Sequence, residues 1–193
     1  GVGAIRAHGA RGAYISATIV DKNTLAVVSA SDAIDSVVDA AGVVHNAANA
    51  NALAMNRFCS SDLPPVSAFY HATSGLGSQE RIYMGGEEGG ANGWAMATVL
   101  TGAEKGLSYI LPAFNLATNG SGINAVGGWE NLLASPYAQD LTIVAGTNDG
   151  GTGVMNNTVN VYVGTKQSTG TKPEKAGLKN GQNYIVSVAG NPT

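Results

Sequence analysis

Little in this chain can be charged, cross-linked or buried in a bilayer. A single cysteine, Cys59, stands among 193 residues, so no disulfide can close within the chain and the redox compartment stays open. Charged residues make up 12% of the sequence, about half their usual share. The net charge is -3 and no basic run occurs, which argues against a nucleic-acid partner. No apolar stretch approaches the roughly 20 residues a membrane helix needs, so no transmembrane segment is expected. No secretory leader is recognisable either. Missing too are a G-x-S-x-G elbow, a G-x-x-x-x-G-K-[ST] loop and a paired C-x-x-C, the marks of common hydrolases, NTPases and zinc ribbons. The chain starts at Gly1 without a Met, from which we expect that further polypeptide accompanies these residues.

What the chain does have is apolar and turn-forming residues. Hydrophobic residues are 44% of the sequence and glycines number 27, the balance of a turn-rich β protein able to bury a core. Period-2 alternation dominates. Ala13 to Val20 and Leu25 to Ser29 predict strands around an Asp21-Lys22-Asn23-Thr24 turn. Asp32 to Asn56 breaks the pattern: Ala- and Asn-rich, it reads as a short helix or as a long surface excursion over about 32–56. After Pro64-Pro65, strands are expected at Val66 to Tyr70 and Arg81 to Met84, around a Gly75-to-Ser78 turn. Trp94 to Thr101 and Ser108 to Leu111 flank a second turn, Gly102 to Gly106. Leu141 to Ala145, Val159 to Val163 and Tyr184 to Val188 continue the series, with Thr165 to Lys179 as a polar loop.

No long 3.6-period segment separates these strands and no linker divides residues 1–193, so the expected fold is all-β, a segment of a β-propeller, with a β-sandwich as the alternative. At roughly 40 to 50 residues per blade, the chain holds about three to four blades. Such a segment leaves apolar faces bare, and exposed apolar surface is expected around Val2 to Ile5 and Tyr184 to Val188 unless the remainder of the propeller or a second chain covers it.

Acidic groups and the thiol recur where expected strands meet glycine-rich turns: Arg57-Phe58-Cys59, Gly86-Glu87-Glu88-Gly89, Trp129-Glu130-Asn131 and Asn148-Asp149-Gly150. Loop positions on a rigid sheet can converge on one ion. Cys59 offers a thiolate or a small buried hydrophobe. Neighbouring strand residues point to opposite faces, so at most one of Glu87 and Glu88 faces a given ion; Glu88 is preferred and Glu87 kept as an additional candidate. Glu130, between Trp129 and Leu132-Leu133, would be costly to bury without a cation. Asp149 supplies a hard oxygen of the kind calcium takes, or a plain Asx-turn. His8, His45 and His71 show no metal-ligand spacing. Arg57 and Arg81 are nearby cations able to meet phosphate oxygens or to pair at the surface.

The runs R-F-C-S-S-D-L-P-P-V-S-A-F-Y, R-I-Y-M-G-G-E-E-G-G, W-E-N, N-D-G-G and V-Y-V-G-T-K, with R-A-H-G-A-R-G-A-Y-I-S at the start, resemble the PhoX-type alkaline phosphatase family of secreted or periplasmic bacterial proteins. The resemblance implies a phytase-like propeller whose central channel holds iron and calcium, bound by carboxylates and a cysteine, that hydrolyses phosphate monoesters. It implies that Cys59, Glu88 (or Glu87), Glu130 and Asp149 are metal ligands and that the substrates are phosphorylated small molecules. Trp129 stands where the family has a histidine. The family's Asn-His-Glu stretch and its further downstream ligands and arginine match nothing in these residues, so an incomplete active site is expected for this chain alone. Cys59 and Glu130 are expected in one coordination shell. The competing expectation is a non-catalytic extracellular propeller with a structural or adhesive role, for which the low charge, the Ala/Asn-rich excursion and Trp129 speak.

Overall fold

A computed structural model describes residues 15–46, 53, 55–90, 93–117, 124–149 and 157–190. The first half holds β1 (Ser16–Val20), β2 (Val27–Asp32), β3 (Ser36–Val38), β4 (Val44–His45), β5 (Phe58–Asp62), β6 (Tyr70–His71), β7 (Leu76–Gly77) and β8 (Ile82–Glu87). The second half holds β9 (Ala95–Val99), β10 (Leu107–Ile110), β11 (Leu116–Ala117), β12 (Asn124–Val126), β13 (Trp129–Ala134), β14 (Leu141–Asn148), β15 (Val159–Thr165), a single helical turn α1 (Lys172–Lys175) and β16 (Gln182–Ile185). The protein is all-β. Val2 to Ile5, His8, the first expected residues Ala13 and Tyr14, and most of the opening run that carries the family resemblance lie outside the described residues.

Two sheets organise the described chain. In the first, β5, β8, β9 and β10 form an antiparallel meander, extended by β3 parallel to β10 and by β4 beyond it. The second is a four-stranded antiparallel meander, β13-β14-β15-β16. The sheets pack face to face through β13 against β5 and β8. Alternation in sequence sets which face each strand buries. Thr142, Val144, Gly146 and Asn148 of β14 turn inward, while Leu141 and Ala145 stay exposed on the other face. β9, A-M-A-T-V, is buried at every position because both faces of the first sheet are covered. One face meets the second sheet, and the other packs Met96 and Ile110 on Ala33, Ile34, Val37 and Met55.

Aromatic side chains fill the space between the sheets. Phe114 stacks on Tyr162 with centroids 4.0 Å apart and meets the edge of Trp129 at 6.2 Å. Trp129 is fully buried, and its indole Nε1 donates to Asn115 Oδ1 at 2.9 Å. Burial pushes the Tyr162 phenol up to about 12. Its hydroxyl donates to Gly177 O at 3.0 Å and accepts from Gly181 N at 2.8 Å, so the polar end of the ring is satisfied.

The glycines of the M-G-G-E-E-G-G run divide by role. A Cβ on Gly86 would lie 2.3 Å from Trp129 O, so β8 and β13 approach closely only because residue 86 has none. A turn follows at Gly90, whose φ is +83°.

Several expected elements differ. Val66 to Tyr70 is not a strand: Val66–Ala68 forms a 3-10 turn after Pro65, and only Tyr70 and His71 enter a short hairpin with β7. Pro64 and Pro65 offer no N–H to a ladder, and the tight turn instead drives Ala68 and Phe69 into the core. The strand at Arg81 to Met84 exists as β8, but it pairs with β5 and β9 rather than across the Gly75 turn. The 32–56 excursion is not helical over 36–45 but forms β3 and β4. There Asp39 draws the chain into a turn, accepting from Ala41 N and Val43 N at 2.9 and 2.8 Å and holding His45 Nε2 at 2.9 Å. The Thr165 to Lys179 loop contains α1, started by a capping box between Thr171 and Glu174. Two four-stranded meanders are described, not three to four, because residues 16–46 go into a ribbon and an edge extension instead.

Among the described residues, the outer face of the second sheet exposes large apolar side chains. Leu133, Leu141, Val159 and Tyr184 are 52%, 44%, 50% and 53% exposed, and Val186 and Val188 are exposed beyond β16. No helix among the described residues is long and apolar enough to cross a membrane.

Candidate functional site

Antiparallel pairing brings the four candidate segments to one end of the stacked sheets. β5 and β13 start there, and β8 and β14 finish there, with Phe58 opposite Glu87 and Trp129 opposite Asn148. Backbone bonds tie the four together: Glu88 N donates to Arg57 O at 2.7 Å, Gly128 N to Gly93 O at 3.1 Å, and Asp149 N to Gly128 O at 2.8 Å.

Glu88 is the hub. Its carboxylate accepts from Arg57 Nη2, and the Cys59 thiol and the Asp149 carboxyl lie near enough to influence its titration. The Glu88 side chain is only 9% exposed, whereas that of Arg57 is 64% exposed. Burial pushes the Glu88 carboxyl up, yet the hydrogen bonds from Cys59 and Arg57, the charge of Arg57 and the contact with Asp149 outweigh it, and the group is held below the usual glutamate range. Glu88 is therefore an anion in a confined place, next to a second carboxyl and a thiol.

Glu87 turns the other way and does structural work. Its Oε1 accepts from Asn56 N at 2.7 Å and its Oε2 from Trp94 N at 3.3 Å, which satisfies two loop amides. Adjacent strand side chains diverge, so the pair splits into one packing carboxylate and one site carboxylate. Glu130 sits at an irregularity in β13, where the register skips from Trp129 to Asn131, and it is exposed. The desolvation argument that favoured a cation beside it does not apply to an exposed carboxylate. Glu130 is thus at the same end as the cluster without being part of its hydrogen-bonded centre.

The donor set of Cys59, Glu88 and Asp149 suits a cation chemically, because a thiolate serves iron and carboxylate oxygens serve calcium. Among the described residues no three His, Cys, Asp or Glu side chains already surround one point as the ligands of an ion do. The guanidinium of Arg57 meets the anionic charge instead. Arg81 lies apart, its Nη2 donating to Leu63 O at 3.4 Å.

The histidines belong to other structures. His45 holds Asp39. His71 Nδ1 lies 2.7 Å from Asp140 Oδ1 and 3.2 Å from Ser74 Oγ, and Ser74 Oγ donates to the same Asp140 oxygen at 2.5 Å. The residue types are those of a hydrolytic triad, but a relay needs serine and aspartate on opposite ring nitrogens. Here both meet Nδ1, so the trio clasps the hairpin 70–77 to the β13-β14 turn.

Sequence reasoning missed Lys166. It is 2% exposed, and its Nζ donates to Gln139 O and Leu141 O at 2.7 and 2.8 Å. Burial lowers it to about 8 against the opposing pull of Asp140. Only its position just past β15, a strand with buried alternate residues, hinted at an inward direction. Comparison with protein-family models, with curated proteins and with solved structures finds no match.

Proposed function

We propose that this chain is part of a β-propeller of a secreted, periplasmic or extracellular metal-dependent phosphatase, acting on phosphate monoesters of small molecules. The single observation that carries the reading is the Glu88 carboxylate, with Cys59 and Asp149 near it and the exposed Arg57 guanidinium paired to it. Two carboxyls and a thiol close together repel once ionised, and a cation relieves that repulsion. Cys59, Glu88 and Asp149 would hold iron or calcium, with Glu130 reaching in from the exposed bulge. Bound metal supplies charge neutralisation on phosphate oxygens and activation of an oxygen nucleophile. Arg57, released from Glu88, would take a phosphate oxygen with its guanidinium. The two stacked meanders and the exposed apolar side chains on the outer face of the second sheet support the propeller: a third sheet of the same kind would cover that face as the first covers the inner one.

The test is metal content and hydrolysis together. Purified protein supplied with iron and calcium is expected to retain both, to hydrolyse p-nitrophenyl phosphate, and to lose the activity in EDTA; Cys59→Ala loses the iron. A second reading, a non-catalytic structural or adhesive propeller, is favoured by the absence of a ready-made ligand set among the described residues. Protein that binds neither metal and hydrolyses nothing supports that reading.

A further inference from the structure

A cavity of about 360 Å³ opens between the two halves of the chain. Tyr70, Gly77 and Glu80 line one wall, and Ser168, Lys172 and Lys175 the other. None of these residues belongs to the Cys59 cluster. The walls are fixed to each other: Gly77 N donates to Gln167 O at 3.2 Å, and Lys172 Nζ lies 3.5 Å from Glu80 Oε1. Gly77 has φ +106°, and a Cβ there would meet Phe69 O at 2.1 Å, so this wall is built by a residue that only glycine can be. The size lies within the roughly 300 to 1,000 Å³ of small-molecule sites.

Charge accounting identifies what it suits. Around α1 the carboxylates are occupied. Glu80 takes Thr101 Oγ1 at 2.6 Å as well as Lys172. Glu104 accepts from the Tyr109 hydroxyl at 2.7 Å and from Lys172 N at 3.1 Å. Glu174 closes onto Thr171 at 2.8 Å and pairs with Lys179 Nζ at 3.5 Å. Lys175 lines the cavity, and among the described residues no carboxylate pairs with it. Two lysines thus line the space against one carboxylate, next to hydroxyl-bearing Tyr70 and Ser168.

We propose that this cavity binds a small oxyanion, a phosphate or carboxylate group carried by a polar molecule, with Lys175 as its charge partner. Lys172, already balanced by Glu80, shapes the entrance. Because the walls are tied to each other by these bonds, binding needs little reorganisation.

Calorimetric titration of the full chain with inorganic phosphate, and in parallel with malonate, tests this in EDTA, which removes metal-dependent phosphate binding at the Cys59 cluster. Saturable binding of at least one anion is expected, and the preferred one distinguishes a phosphate from a carboxylate site. Lys175→Met should weaken it about tenfold or more, the worth of one charged hydrogen bond, while Lys175→Arg retains most of it. Lys179→Met and Cys59→Ala should leave it unchanged. Ser168→Trp, which fills the space from an exposed position, should abolish binding at an unaltered unfolding temperature. Absence of saturable binding of both anions, or a Lys175→Met protein that binds as the native one does, overturns the proposal.

Discussion

Adjacent glycines should respond very unequally to the same methyl group. In Gly86→Ala the new Cβ would lie 2.3, 2.6 and 2.8 Å from Trp129 O, Cβ and C. The first of these is roughly 1 Å inside ordinary van der Waals contact, and two of the three atoms are backbone, so no rotamer change relieves it. The sheets must separate locally around a tryptophan that is fully buried. Overpacking of this kind costs about 1 to 3 kcal/mol, which for a chain of this size lowers the unfolding temperature by roughly 3 to 10 °C. In Gly85→Ala the neighbours are the side-chain atoms Tyr83 Cε1 at 3.3 Å and Ile15 Cδ1 at 3.9 Å, with no backbone atom among them. The entropy the unfolded chain loses, about 0.4 to 1 kcal/mol, offsets this tighter contact, so that variant should stay within about 1 kcal/mol of the native protein. Thermal unfolding of the two variants beside the native protein, followed by tryptophan fluorescence and circular dichroism, reads the difference. Equal unfolding temperatures for both variants would refute the close approach of β8 to β13.

Further outcomes follow from the same contacts. Ser74 and His71 hold the Asp140 carboxyl below its ordinary value of 3.8. A depressed folded value gives stability that is present above the unfolded value and lost as pH falls through the folded one, so Asp140→Asn should flatten the acid limb of a stability-against-pH curve, and an unchanged limb counts against the clasp. Lys166 has the same sign in the alkaline range, because burial lowers it from 10.5 to about 8. The unfolded chain then holds the extra proton between those values, native stability rises with pH across that window, and chemical denaturation of Lys166→Met at pH 7.5 and 9.5 should show no such gain. Asp149→Asn should weaken calcium binding measured by calorimetry, whereas Glu87→Gln should leave metal content unchanged and lower stability by about 1 to 3 kcal/mol, since its loop amides lose a charged acceptor.

Local sequence carried the β class and most strand positions. Alternation along Leu141 to Ala145 and Val159 to Val163 needs only the two-residue period of a strand with one face inward, and both segments are found in β14 and β15. The turn at Asp21 is equally local, its Oδ1 accepting from Asn23 N and Thr24 N at 2.9 and 2.7 Å. That acidic residues and the thiol fall at strand ends was also legible, because glycine and asparagine mark where strands stop. The tertiary structure alone decided which of them meet. Cys59, Glu88 and Asp149 are far apart in sequence and come near one another because two sheets stack with β5 and β13 side by side, a consequence of core packing that no local pattern encodes. The same stacking sends Glu87 to backbone amides, leaves Glu130 exposed and assigns Gly86 to the interface. It also takes Lys166 out of water and opens the cavity beside Lys175. Charges and small residues declare their chemistry in sequence, but their partners come from surfaces brought together by burying apolar area, which is non-directional and set by the whole chain.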